Sequence, residues 1–119
     1  EGKTQATWLP ISLLALGRVL QGRMDIGDLE EKIASADPKA SAGHFHHVDH
    51  LLAQANALRG DAARSVDYLR RASRTGLNCI PCFENDRYLA PIRASAEYRE
   101  LKVEMEKLNA EYRSALEIP

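Results

Sequence analysis

All four histidines of the chain fall in one short stretch, HFHHVDH, from His44 to His50. Two cysteines, Cys79 and Cys82, follow downstream as CIPC. Imidazole nitrogens and thiolates are the usual zinc ligands, and a closed structural zinc site takes four of them. On a helix His46 and His50 stand at i,i+4, and His47 and His50 at i,i+3, so either pair shares a face. Cys79, Cys82 or Asp49 would complete a ligand set. The order is unlike a zinc finger, in which a closely spaced cysteine pair precedes a spaced histidine pair. The competing reading is structural: His44 bonds exposed backbone groups at a helix start, and His46 or His47 packs between helices. Binding of another ligand is a third. Four protonated imidazoles in a turn or two repel, so this stretch is expected to loosen below about pH 6.

CIPC lacks the strand–helix–strand setting of a thioredoxin-like motif. It also lacks the histidine that c-type haem attachment needs after the second cysteine, because Phe83 stands there. Cys79 reads either as a small buried apolar residue or as half of a local disulfide or metal pair. No nucleophile elbow and no glycine-rich phosphate loop is legible, so neither an enzyme nor a cofactor is expected. The chain has 119 residues, of which 45% are hydrophobic, and a net charge of −1. That suits one domain around a modest core and offers no basic stripe for nucleic acid. The longest apolar run, Leu13 to Leu16, is far too short to span a bilayer, and no signal peptide is visible. Helical signals begin at once from Glu1, as in a piece of a longer protein, so an upstream targeting or membrane segment would be out of view. Two cysteines make no disulfide framework, which leaves the compartment open.

The elements that would position these residues are helices throughout, since no alternating β-branched run appears. Trp8, Ile11, Leu14 or Ala15, and Val19 step by three or four along a first helix. Pro10 suits an early position, and Gln21 to Met24 closes the helix. Asp25 is the expected N-cap of a second helix over 26–36, with Ile26, Leu29, Ile33 and Ala36 inward. Asp37-Pro38 ends it, and residues 39–43 form a polar loop. A third helix is expected over 44–59, with Phe45, Val48, Leu52, Ala55 and Leu58 or Ala57 buried. Gly60 suits a left-handed turn, and Asp61 caps a fourth helix over 62–75 that ends at Gly76. An extended stretch from Leu77 to Phe83 follows. Asp86 caps a short helix through Ile92, and Ser95 begins the last one. There Tyr98, Leu101, Met105, Leu108, Tyr112 and Ala115 form a heptad-like seam. Its charges, such as Lys107 with Glu111, read as a solvated flank or as a seam for a partner.

The helices pair, and a shift of 36 positions maps Leu52, Ala53, Gly60, Asp61, Leu69 and Ala72 onto Leu16, Gly17, Met24, Asp25, Ile33 and Ala36. From Leu52 to Ala72 the chain resembles a tetratricopeptide repeat (TPR). Leu52, Ala53, Gly60-Asp61, Leu69 and Ala72 carry that resemblance, while Asp49, Asn56 and Ser65 depart from it. Gly76, Cys79, Pro81, Phe83, Asp86, Leu89, Arg93 and Leu101 are similar to the closing end of TPR arrays in bacterial regulatory proteins. Such arrays follow a serine/threonine kinase or winged-helix domain and tend to carry Phe-His-His where Phe45 to His47 stand.

The resemblance implies an all-α fold: TPR-like helix-turn-helix repeats, an α-solenoid fragment with a C-terminal capping helix. Residues 1–119 form one domain, with a divergent repeat over 1–38, a TPR over 43–76, and a short helix plus long capping helix over 77–119. It implies a non-catalytic scaffold or sensory module that binds a protein or peptide on its concave face. Asp49, Gln54 and Asn56 are the expected lining residues, because polar side chains in a groove mark polar contacts. The alternative is a metal-binding or redox domain using His46 and His50 with Cys79 and Cys82. A third possibility is self-association, with Trp8 and the first helix docking on a neighbouring repeat.

Overall fold

A computed structural model describes residues 5–35 and 45–116. The expectations for His44, Ala36, Asp37-Pro38 and the 39–43 loop lie outside the described residues. Every regular element among the described residues is helical. The helices are α1 (Gln5–Leu20), α2 (Gly27–Ala34), α3 (Phe45–Leu58), α4 (Ala62–Thr75), α5 (Ile80–Glu84) and α6 (Ala96–Ala115), with a 3-10 helix over Arg87–Ile92 between the last two. The body is a slab of 46 × 35 × 18 Å, the thickness of two helix layers.

In α1 the buried residues Trp8, Ser12, Ala15, Leu16 and Val19 keep the expected spacing. Ala15, not Leu14, takes the inward position, and Leu14 stays half-exposed. Pro10 falls in the second turn rather than the first, so the carbonyl one turn earlier lacks its helical donor. Trp8 is 5% exposed and belongs to the core of this chain, so it is not left over for a neighbouring repeat.

α1 and α3 leave their helices in the same way. Gly22 and Gly60 both have φ of +81°, where a side chain is strained. Gly22 N–H bonds the Val19 carbonyl and Arg23 N–H the Arg18 carbonyl; Gly60 with Ala57 and Asp61 with Asn56 repeat the pattern. The equivalent of Gly60 is therefore Gly22, 38 positions earlier, and not Met24. Asp25 accordingly does not stand where Asp61 does. Asp61 accepts from Arg64 N–H at 3.0 Å as the α4 cap, whereas Ile26 holds the cap position of α2 with no side-chain bond. Asp25 is taken instead by Arg23, at 2.7 Å. Three extra residues between the turn and α2 cause the difference.

Leu77 to Phe83 is not extended throughout. α5 starts at Ile80 because Pro81 lies in its first turn and Cys79 Sγ accepts from Cys82 N–H at 3.2 Å. Asp86 accepts from Tyr88 N–H at the start of the 3-10 helix, and Ser95 Oγ accepts from Tyr98 N–H at the start of α6. The seam of α6 is covered only in its first half. Tyr98, Leu101 and Met105 are buried, Leu108 is half-buried, and Tyr112 is 54% exposed. Three polar ties fasten the helix, two in its first half and one at Asn109 beyond it. Arg70 bonds Glu104 at 2.9 and 3.2 Å, Lys102 meets Glu84 at 2.6 Å, and Asn78 Nδ2 donates to Asn109 at 2.5 Å.

The apolar core has two lobes, and α3 lies between them. Val48, Leu52 and Ala55 join α1 and α2 residues such as Leu16, Ile26 and Ile33. Ala53 and Ala57 join Val66, Leu69, Phe83, Leu89, Ile92, Tyr98, Leu101 and Met105. A helix enclosed on several sides buries residues all round rather than along one stripe. Val48, Asp49 and every residue from Leu52 to Ala57 are buried.

Gly76, at the end of α4, has φ of +138°, and a Cβ there would sit 3.2 Å from His46 Nδ1. Gly76→Ala is expected to cost about 1–3 kcal/mol through backbone strain. Gly17→Ala, inside α1 with open space around the added Cβ, is expected to gain about 0.5–1 kcal/mol. Urea unfolding of both variants checks the pair; a neutral Gly76→Ala would contradict the packing of His46 against this turn.

Candidate functional site

Asp49, Gln54 and Asn56 of α3 are buried, so each needs a partner on another element. Asn56 is fully buried. Its Nδ2 donates to Glu30 Oε1 at 2.9 Å and to the Leu52 carbonyl at 2.9 Å, and its Oδ1 accepts from Arg59. Glu30, 4% exposed, comes from α2. Its Oε1 also accepts from the Tyr68 hydroxyl at 3.1 Å, with Arg64 Nε at 3.5 Å and Arg59 Nη1 at 3.8 Å from the carboxylate. Burial, and then the Glu30 charge, push the Tyr68 phenol up to about 12, so it remains a donor. This cluster ties α2, α3 and α4 together.

A second joint lies on the other side of α3. Asp86 Oδ2 accepts from His50 Nε2 at 2.9 Å and from Gln54 Nε2 at 2.6 Å, while its Oδ1 accepts from Tyr88 N–H at 2.8 Å. Arg93 Nη1 donates to the carbonyls of Asp86 and Phe83 at 2.5 and 3.1 Å. Phe83 stacks on His50 with centroids 5.9 Å apart. The face of α3 that bears His50 and Gln54 is thus covered by the segment after α4.

Asp49 is the third buried polar residue of α3, 2% exposed. Its closest charge is Arg71 on α4, 3.5 Å from Oδ1, which is too long for a good hydrogen bond. Burial pushes its carboxyl up to about 6, and Arg71 pulls it back only in part. Asp49, Gln54 and Asn56 are therefore all enclosed, the first against α4, the second under the capping segment and the third against α2.

The histidines part company. His46 lies against Gly76 at the end of α4, with its ring 4.1 Å from that of His47. His50 faces Asp86 and Phe83. The expected repulsion considered imidazoles alone, and the structure sets a carboxylate against one of them. Cys79 and Cys82 form a disulfide with each other, so neither is a thiolate able to complete a ligand set with His46 and His50. Cys79 is not a buried free thiol either. Among the described residues no three histidine, cysteine, aspartate or glutamate side chains gather as a cage for an ion.

An open concave feature lies elsewhere. A groove of about 250 Å³ runs between α4 and α6, lined by Ser73, Arg74, Glu104, Met105, Lys107, Leu108 and Glu111. Beyond it stand Tyr112 on α6 and Leu116 at its C-cap, both more than half exposed.

Two residues that organise these sites were not singled out as such from the sequence. Glu30 sits four residues after Ile26 and three before Ile33, on the inward face of α2, and that spacing was the available signal. Asp86 was legible as a cap, but its bonds to His50 and Gln54 join residues far apart in the chain. No protein-family model, curated protein or solved structure matches the chain.

Asp49 generates a signed pH dependence. A carboxyl whose pKa is higher in the folded than in the unfolded state weakens the fold above that value, and the penalty fades as pH falls from 6 toward 3.8. Asp49→Asn removes the buried charge while keeping its size. It is expected to stabilise the chain by about 1–3 kcal/mol at pH 7.5, and by progressively less toward pH 4. Urea unfolding across that range checks it; a destabilised variant at pH 7.5 would mean that the Arg71 contact outweighs burial.

Proposed function

We propose that this chain is a non-catalytic protein- or peptide-binding module, TPR-like in its paired helices, serving as the C-terminal scaffold or sensory part of a larger regulatory protein. One observation carries the reading. α6 continues past the elements that cover it and keeps its apolar spacing there: Leu108 lines the groove between α4 and α6, and Tyr112 and the C-cap Leu116 follow it with more than half their surface exposed. A helix that only closed a core would have no use for apolar residues beyond it, and contiguous exposed apolar surface marks an interaction site. Arg74 and Lys107 with Glu104 and Glu111 rim the groove with both charges, which suits an amphipathic helix laid into it. Among the described residues no helix is long and apolar enough to cross a membrane. Asp49, Gln54 and Asn56 then serve binding indirectly, by holding α3 against α4, the capping segment and α2 respectively, and not by touching the ligand.

Self-association is the second reading, and α1 favours it. Leu9, Leu13, Leu14 and Leu20 are each 40–52% exposed on this one helix, an apolar surface that a second copy would cover. Light scattering over a concentration series separates the two surfaces, since Leu13→Glu would disperse a dimer built on α1 and leave the α6 groove untouched.

Peptides selected from a random helical library against the chain are expected to protect amides of α4 and α6. Tyr112→Asp and Leu108→Asp are expected to weaken the selected peptides roughly tenfold or more without shifting the unfolding midpoint. Protection mapped to α1 alone, or undiminished binding by both variants, would remove the groove from consideration.

A further inference from the structure

We propose that Cys79 and Cys82 form a reversible redox switch, an accessible disulfide that external dithiols open and that controls how the segment after α4 is held on α6. The inference does not depend on the binding reading above. Cys82 is exposed and Cys79 half-buried, so the bond can be reached from solvent at the Cys82 sulfur. It spans only Ile80 and Pro81. A ring this small restricts the unfolded chain little, so a purely stabilising purpose is weakly served. Cys82 N–H already points at Cys79 Sγ from 3.2 Å. That donor favours Cys79 as the departing thiolate, because an N–H aimed at the sulfur stabilises its negative charge.

The exchange balances without any further reagent than the dithiol. One thiolate of the dithiol attacks Cys82 Sγ, forming a mixed disulfide, and Cys79 leaves as a thiolate with the bond's electron pair. The second thiolate of the dithiol attacks its own sulfur in the mixed disulfide. The reductant closes to a cyclic disulfide, and Cys82 leaves as a thiolate. Two electrons pass to the protein, and its thiolates take up protons from water according to pH.

The structural consequence is confined to one end of α5. Five residues are too few to hold a helix by themselves. At its far end α5 is fastened by Phe83, 1% exposed, and by Arg93 on the Phe83 carbonyl. At its near end the disulfide is the covalent lock. Asn78, the neighbour of Cys79, carries the hydrogen bond to Asn109 on α6. Opening the disulfide therefore frees the 77–81 segment and loosens the Asn78–Asn109 tie, while the Asp86 joint stays closed.

The whole chain, oxidised and folded, is to be titrated with dithiothreitol in native buffer, trapped with iodoacetamide, and followed by mass and by amide exchange. Both cysteines are expected to become alkylated together before unfolding. Exchange in 77–82 is expected to rise several-fold, with 45–75 unchanged. The double substitution Cys79→Ser with Cys82→Ser is expected to exchange like the reduced chain and to ignore dithiothreitol; Ser at 79 preserves the helix cap. Should that variant fail to fold, the wild-type titration still decides. A pair that resists the dithiol until global unfolding, or one that is reduced with no change in exchange over 77–82, overturns the switch.

Discussion

The structure depends on the requirement that every polar side chain carried inward by α3 meet a partner on another element. α3 is enclosed by α1, α4 and the segment that follows α4, and its buried faces carry Asp49, Gln54 and Asn56. An unsatisfied buried polar group costs about 1–3 kcal/mol, and more if charged. The neighbours therefore cannot slide along α3 without stranding one of these groups. Apolar packing draws the helices together, and the polar partners fix where along α3 each one stops.

The two joints divide that task. Glu30, reaching Asn56 and Tyr68, sets α2 against α3 and α4. Asp86, reaching His50 and Gln54, sets the capping segment on the opposite side. Each is a carboxylate with several donors, the arrangement under which a buried charge is tolerable. Removing one member of such a cluster costs about 3–5 kcal/mol, because the remaining charge is left buried and unmatched. Asp49 is the imperfect case. With only Arg71 near it at 3.5 Å, it carries a charge the fold does not fully compensate.

What is left outside the joints is what the molecule has to offer a partner. The outer face of α1 and the second half of α6 both present large apolar side chains to solvent. Beside α6 runs a groove with charges of both signs along its rim. The Cys79–Cys82 bond lies at the near end of this region, where Asn78 meets Asn109. Its placement between the well-anchored α4 and the well-anchored Phe83 makes it the one covalent constraint on a short and otherwise weakly held stretch.

The helical class, the turns at Gly60-Asp61 and Gly76, and the start of α6 at Ser95 were legible because local chemistry settles them. Glycine reaches positive φ, Asp and Ser cap, and apolar residues recur with the period of a helix. α4 over Ala62–Thr75 falls where those signals place it. The single 36-residue register failed at the first turn because Gly22, not Met24, has the required backbone freedom. The interval between glycines, rather than similarity of side-chain size, was the better guide. The polar residues of α3 could not be assigned from spacing, since the same Asp, Gln and Asn suit a wet groove and a buried joint equally. Whether they face water is decided by what the rest of the chain lays over them. His50 shows the point most plainly: its neighbours in sequence suggested a metal cluster, but its partner, Asp86, is supplied from beyond α4. Sequence by itself determined the helical class and the ends marked by capping residues or glycine, such as α4 and the start of α6, because those depend on residues within one turn of each other. Tertiary structure alone decided which polar groups are enclosed, because enclosure depends on surfaces brought together across the whole chain.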